Sequence, residues 1–228
     1  MKKHKILSVT IILFLVSLHA FSQSRIGLVA GLNSGNFSGD APTTGKFVSG
    51  IAYNMGVGLD IQIAEDLFLS TVPSFALSNS KIQFSKLIEE EDDVVEVYED
   101  SISLKYQFVA LPIILKIISD NGKWQFSGGF EVSFPLTLTA DNTVEEDDLT
   151  DQISSTNINM LFGIGYRIPI KRQLLVINLS YAQGLNNLAK NLDDPDTLLP
   201  RVRFVSWRFS AAWLLPIGKN RFSEPTNN

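Results

Sequence analysis

Residues 123–139, KWQFSGGFEVSFPLTLT, constrain this chain more than any other stretch. Even positions hold Trp124, Phe126, Phe130, Val132, Phe134, Leu136 and Leu138, with Gly128 the exception. Odd positions hold Lys123, Gln125, Ser127, Gly129, Glu131, Ser133, Pro135, Thr137 and Thr139. A period of two sends alternate side chains to opposite faces, which predicts a strand with one apolar face. An ordinary strand has about five or six residues. At about 3.3 Å per residue, half of this run crosses a bilayer core when tilted.

The pattern recurs over residues 25–33, 50–63, 67–84, 101–118, 155–168, 174–185 and 201–217. The second of these sets Ile51, Tyr53, Met55, Val57, Leu59, Ile61 and Ile63 against Gly50, Ala52, Asn54, Gly56, Gly58, Asp60 and Gln62. Pro73, inside the third, cannot donate to a ladder and predicts a bulge or a break. In the fourth, Ile102, Leu104, Tyr106 and Phe108 are apolar on even numbers, and Leu111, Ile113, Leu115 and Ile117 on odd ones. That change of phase predicts a β-bulge near 109–112. Connections at 64–66, 119–122 and 169–173 are short. Those at 34–46, 87–100, 140–154 and 186–200 are long, and the last three are acidic, with a short strand extension through Val94, Val95 and Val97 as the alternative in the first of these three. The expected fold is an all-β, eight-stranded, antiparallel up-and-down transmembrane barrel. Short turns and both chain ends would be periplasmic, with long acidic loops extracellular.

Export is expected from residues 1–22. Lys2, Lys3 and Lys5 precede an apolar run, and Ala20 and Ser22 are the small residues of a cleavage site before Gln23. The run is short for a membrane anchor. The barrel would then occupy 23–217, with a disordered tail at 218–228. Cleavage removes three of the 19 Lys and Arg and none of the 24 Asp and Glu, leaving 16 against 24, a net charge of −8. A nucleic-acid partner would call for a basic face instead. There is no cysteine, so the fold depends on a core or a closed sheet.

Periodicity does not say which face is wet. A lipocalin-like soluble carrier would turn the apolar face inward around a ligand. Three features favour outward. The other face is built mostly from Gly, Ala, Ser, Thr and Asn, which suit a narrow lumen. Tyr53, Tyr106, Trp124, Tyr166, Tyr181 and Trp213 lie on the apolar face toward strand ends, where interfacial aromatics belong. Eight long strands also leave no stretch to plug a carrier.

Three segments carry a family resemblance. AGLNSGNFSGD (residues 30–40), FVALPIILK (108–116) and LSYAQGLNNL (179–188) resemble the first strand end, central strand and seventh strand of PorT-like outer-membrane barrels of Bacteroidetes. Pro73-Ser74 departs from the Pro-Glu common there, and the chain continues past its last strand. The resemblance implies an integral outer-membrane barrel, and for some members a part in type IX secretion.

Catalysis finds little support. Both histidines, His4 and His19, fall in the signal, which leaves no Ser–His or Cys–His nucleophile and no soft metal site. No cofactor is expected. Asp60, Lys105, Lys116, Glu131, Arg167 and Arg208 fall on the inner face. They read as a paired polar network in a lumen with little room beyond its side chains. An ion path is the alternative. The acidic loops read as a solvated face without EF-hand spacing, Ca²⁺ chelation being the alternative. The expected partners are outer-membrane lipid and lipopolysaccharide, together with other envelope or secretion proteins.

Overall fold

The computed structural model describes residues 24–40, 45–90, 93–141, 146–190 and 201–217. The expected signal (1–22) and tail (218–228) lie outside them. The strands are β1 (Ser24–Asp40), β2 (Gly45–Ala64), β3 (Leu67–Thr71), β4 (Ser74–Glu90), β5 (Asp93–Ile118), β6 (Trp124–Asp141), β7 (Glu146–Asp148), β8 (Asn157–Ile170), β9 (Gln173–Gly184) and β10 (Arg201–Ile217). A 3-10 turn spans Thr150–Gln152.

Neighbours pair antiparallel, and β1 pairs with β10 from Ser24↔Ile217 to Asp40↔Arg201, which closes the sheet. Strands β3 and β4 each pair with both β2 and β5, so they form one stave interrupted at Val72 and Pro73. Pro73 has no N–H for the ladder, and its carbonyl instead accepts from the Val57 N–H at 3.0 Å. Strand β7 covers the upper edge of β6 beyond the end of β8. The result is an up-and-down ring of eight staves. Ser24 and Ile217 meet at the end that carries the short turns. One such turn closes with Gly122 donating to the Ser119 carbonyl at 2.7 Å, at a φ of 67° that favours glycine.

Two of the expected long loops are largely strand. The segment expected as a loop at 34–46 continues β1 to Asp40, and β2 already begins at Gly45. The acidic stretch 87–100 belongs mostly to a β4–β5 ribbon that pairs as far as Glu90↔Asp93. Within 140–154, Asp141 ends β6, β7 follows, and the 3-10 turn comes next.

The apolar face of most staves points outward. Phe126, Phe130 and Phe134 are 52%, 58% and 42% exposed on the outside of β6. Leu28, Ile51, Ile113, Phe162, Leu179 and Phe209 are likewise exposed on their own staves.

The expected phases of β5 and β6 need correction. Strand β5 carries no bulge at 109–112: its even residues point inward from Leu104 through Phe108 and Ala110 to Ile118, and its one added residue against β4 is Glu99, between the pairs Phe84↔Asp100 and Ser85↔Tyr98. The slip is in β6, where Gln107 pairs with Thr137 but Phe108 pairs with Pro135, leaving Leu136 as the added residue. Leu138, beyond the slip, is therefore buried inside rather than outward.

Candidate functional site

The lumen has a polar middle and an apolar upper end. In the middle, Asp60, Gln125, Glu131, Ser133, Asn157, Asn159 and Ser206 are buried on inward positions. Small residues on the facing staves leave them space. Arg208 of β10 reaches across to Glu131 of β6 with both guanidinium arms, Nη1 to Oε2 at 2.5 Å and Nη2 to Oε1 at 2.8 Å. Glu131 Oε1 also accepts from Asn159 Nδ2 at 3.0 Å and from the Ser133 hydroxyl at 3.2 Å. Arg208 Nε donates to Ser206 Oγ at 3.1 Å. A second cluster forms nearby: Lys116 Nζ meets Asp60 Oδ1 at 2.8 Å, and the Ser70 hydroxyl donates to the same oxygen at 2.6 Å. A charge out of water is stable only when paired and hydrogen-bonded, and these are. Asn54 Nδ2 donates to Asn33 Oδ1 at 2.7 Å, and Asn33 Nδ2 donates to the Leu77 carbonyl.

A cavity of about 110 Å³ lies among these groups, bordered by Asp60, Lys116, Gln125, Glu131, Asn178 and Arg208. Toward the short turns, Leu174, Val176 and Leu214 pack together. At that end Arg25 lies 6.0 Å over the Phe68 ring, and Arg167 donates to the Gly122 carbonyl at 3.3 Å.

Toward the long connections an aromatic stack fills the bore. Tyr106 and Phe108 stack at 4.8 Å, and Phe204 meets them edge-on at 5.3 and 5.6 Å. Phe37 packs on Phe204 at 6.0 Å. Ile82, Leu104, Leu138 and Val202 complete this cluster. Leu149, Ile153, Leu188 and Ala189 fold in from the connections above. The Leu188 N–H donates to the Val202 carbonyl at 2.8 Å, Ser154 N–H donates to the Leu188 carbonyl at 2.6 Å, and Ile153 bridges Ala189. The connections thus supply the plug that strand length alone seemed to preclude.

Of the six residues expected inside, Asp60, Lys116, Glu131, Arg167 and Arg208 are inward, and two ion pairs join four of them. Lys105 is a correction: it points outward and pairs with Asp141 at 3.0 Å. Tyr106 is another: expected at the lipid interface, it is 1% exposed in the aromatic stack. Both errors come from one cause. Above the apolar band the outside of the barrel is wet and the inside is greasy, so the same alternation has the opposite sense.

Tyr53, Trp124, Tyr166 and Trp213 are outward and exposed, and Tyr181 is outward and half-buried. Trp124 meets Tyr166 edge-on at 5.0 Å, and Tyr181 lies 4.9 Å from Trp207. Trp207 was not among the expected interfacial aromatics, although its place on the apolar face of the last strand marked it. The inward role of Phe37 carried only a weak signal, a lone aromatic among Gly, Ser and Asn. Among the described residues, no group of three or more His, Cys, Asp or Glu is placed to hold a metal ion.

No curated protein sequence matches the chain. Several solved outer-membrane barrels are similar in fold. The attachment invasion locus protein Ail of Yersinia pestis is 13% identical, with a TM-score of 0.47, over 85% of this chain and 99% of that one. Neisserial surface protein A is 13% identical, with a TM-score of 0.42, over 84% and 97%. The outer-membrane protease OmpT of Escherichia coli is 9% identical, with a TM-score of 0.45, over 86% and 97%. A family model described as the outer membrane protein β-barrel domain matches residues 21–190, and this chain belongs to that family.

Proposed function

We propose that this protein is a closed, non-conducting and non-enzymatic outer-membrane barrel with a structural or interaction role. Its short turns face the periplasm, and its long, acid-rich connections face outward from the cell. The observation that carries this reading is the filled bore. A paired polar network occupies the middle, and the stack of Tyr106, Phe108, Phe204 and Phe37 occupies the upper end. A bore blocked by packed side chains offers ions no continuous wet path. The lack of His and Cys beyond residue 22, where the expected signal ends, supports a non-catalytic role. Reconstitution into planar bilayers tests the reading. No conductance steps are expected, and steady single-channel steps from the purified folded protein would refute it.

A second reading, an accessory of protein secretion, draws on the PorT-like segments at 30–40, 108–116 and 179–188. Co-purification of secretion components from native membranes tests that role, and recovery of the barrel with lipid alone counts against it.

A further inference from the structure

At the long-connection end, the outside of the barrel changes character over five adjacent staves, β10, β1, β2, β4 and β5. Arg201, Arg203, Lys46, Lys81 and Lys105 are exposed there. Their outward direction follows from their inward neighbours: Val202, Phe204, Phe47, Ile82, Leu104 and Tyr106 all belong to, or pack against, the lumenal core. Register brings the lysines together. Lys46 pairs with Gln83, two residues from Lys81, while Lys81 pairs with Ser103, two residues from Lys105. Diagonal neighbours of this kind lie about 7–8 Å apart at their backbones. Asp141 holds Lys105, Asp40 is the register partner of Arg201, and Asp100 is in register with Phe84, which pairs with Gly45 beside Lys46.

Height matters as much as charge. Lys81 and Lys105 lie four residues beyond the last outward apolar residues of their strands, Leu77 and Val109, and Arg203 lies two beyond Val205. With a rise of about 3.3 Å and a tilt of about 40°, these are heights of about 10 and 5 Å above the apolar band. The headgroup layer spans about 5–8 Å beyond the hydrocarbon on each side. Lysine stems can lie back along the barrel wall and bring their ammonium groups to that level. At the opposite end the outward positions of β2, β5, β8 and β10 stay apolar to Ile63, Ile117, Ile170 and Ile217, and Lys123, Lys171 and Arg172 belong to turns or their edges.

We propose that Lys46, Lys81, Lys105, Arg201 and Arg203 form a one-sided cationic collar that binds the phosphate groups of lipid in the outer leaflet. The ligand class is a phosphorylated glycolipid headgroup, recognised by charge-assisted hydrogen bonds from several staves while its acyl chains lie on the apolar band. The collar rests on the orientation given under Proposed function.

The test loads the folded full-length barrel in nanodiscs with bisphosphorylated or dephosphorylated lipid A and counts retained lipid by native mass spectrometry. The first lipid is expected to be retained about tenfold better, with loss in Lys81→Gln/Lys105→Gln/Arg203→Gln and none in Lys123→Gln/Lys171→Gln/Arg172→Gln. Heat-modifiable gel mobility shows that each variant is folded. Equal retention of both lipids, or full retention by the collar variant, would overturn the proposal. So would complete displacement by inorganic phosphate, which would make the ligand phosphate alone. Orientation is measured separately, with a membrane-impermeant maleimide on cells carrying Asp120→Cys or Ser154→Cys. Labelling at 120 but not 154 would refute the orientation whatever lipid is bound.

Discussion

Arg208→Ala is the sharpest perturbation of the lumen. In the native barrel Glu131 is 1% exposed, and both its oxygens take charged donors from Arg208. Without the guanidinium, the carboxylate keeps only the Ser133 hydroxyl and the Asn159 amide. Removing one partner of a buried pair costs about 3–5 kcal/mol, because the remaining charge is stranded. At a urea slope of about 2 kcal/mol per molar, the unfolding midpoint should fall by about 2 M. Glu131→Gln should cost a similar amount, leaving Arg208 with Ser206. Glu131→Leu with Arg208→Met removes both charges and should be neutral or stabilising by about 1–4 kcal/mol. The assay is urea unfolding in lipid vesicles, followed by tryptophan fluorescence, with heat-modifiable gel mobility as a second readout. A single variant as stable as wild type, or a double variant as damaged as the two singles combined, would refute the reasoning.

Other outcomes follow from the same geometry. Tyr106→Phe should stabilise the barrel by about 1–3 kcal/mol, because the Tyr106 hydroxyl is buried without a hydrogen-bond partner among the described residues; a loss in the same unfolding assay would contradict this. Phe204→Ala should cost about 3–5 kcal/mol by opening a void in the stack, and an unchanged midpoint would argue against tight packing there. Phe130→Arg, placed midway along the outward face of β6, should cost about 2–4 kcal/mol in lipid, and no cost would be inconsistent with a mid-bilayer position. The Thr150 hydroxyl and its N–H hold the Asp148 carboxyl below the usual aspartate range. That contribution is present above the ordinary aspartate pKa and is lost as pH falls through the lowered one. Thr150→Val removes the hydroxyl and keeps the N–H, so it should move the Asp148 carboxyl NMR titration upward toward the ordinary range, and an unmoved titration would remove the hydroxyl as a cause.

Five staves were legible from period two alone. In β1, β2, β8, β9 and β10 the apolar set is the outward set over the greater part of the strand. The ion-pair residues Asp60, Lys116, Glu131 and Arg208 were also legible, as charges on a face of small side chains. What periodicity does not encode is the sign of the face. Over residues 101–118 strand β5 has one unbroken phase, yet its apolar residues switch from odd to even numbers where it leaves the apolar band, because solvent and grease exchange places. Strand β6 shows the converse. Its backbone slips at Leu136 just where the environment inverts, so the written pattern runs on unbroken and hides the bulge. Loop residues such as Leu149 and Leu188 gave no periodic signal, since their burial depends on the bore they close.

The most direct test concerns the three tryptophans, Trp124, Trp207 and Trp213, which are all outward and half-exposed. Vesicles carrying lipids brominated along the acyl chain should quench most of the folded protein's tryptophan emission, and bromine near the headgroup should quench it best. Aqueous acrylamide should have little effect. Emission indifferent to brominated lipid and open to acrylamide would place water against the apolar face and contradict the whole arrangement.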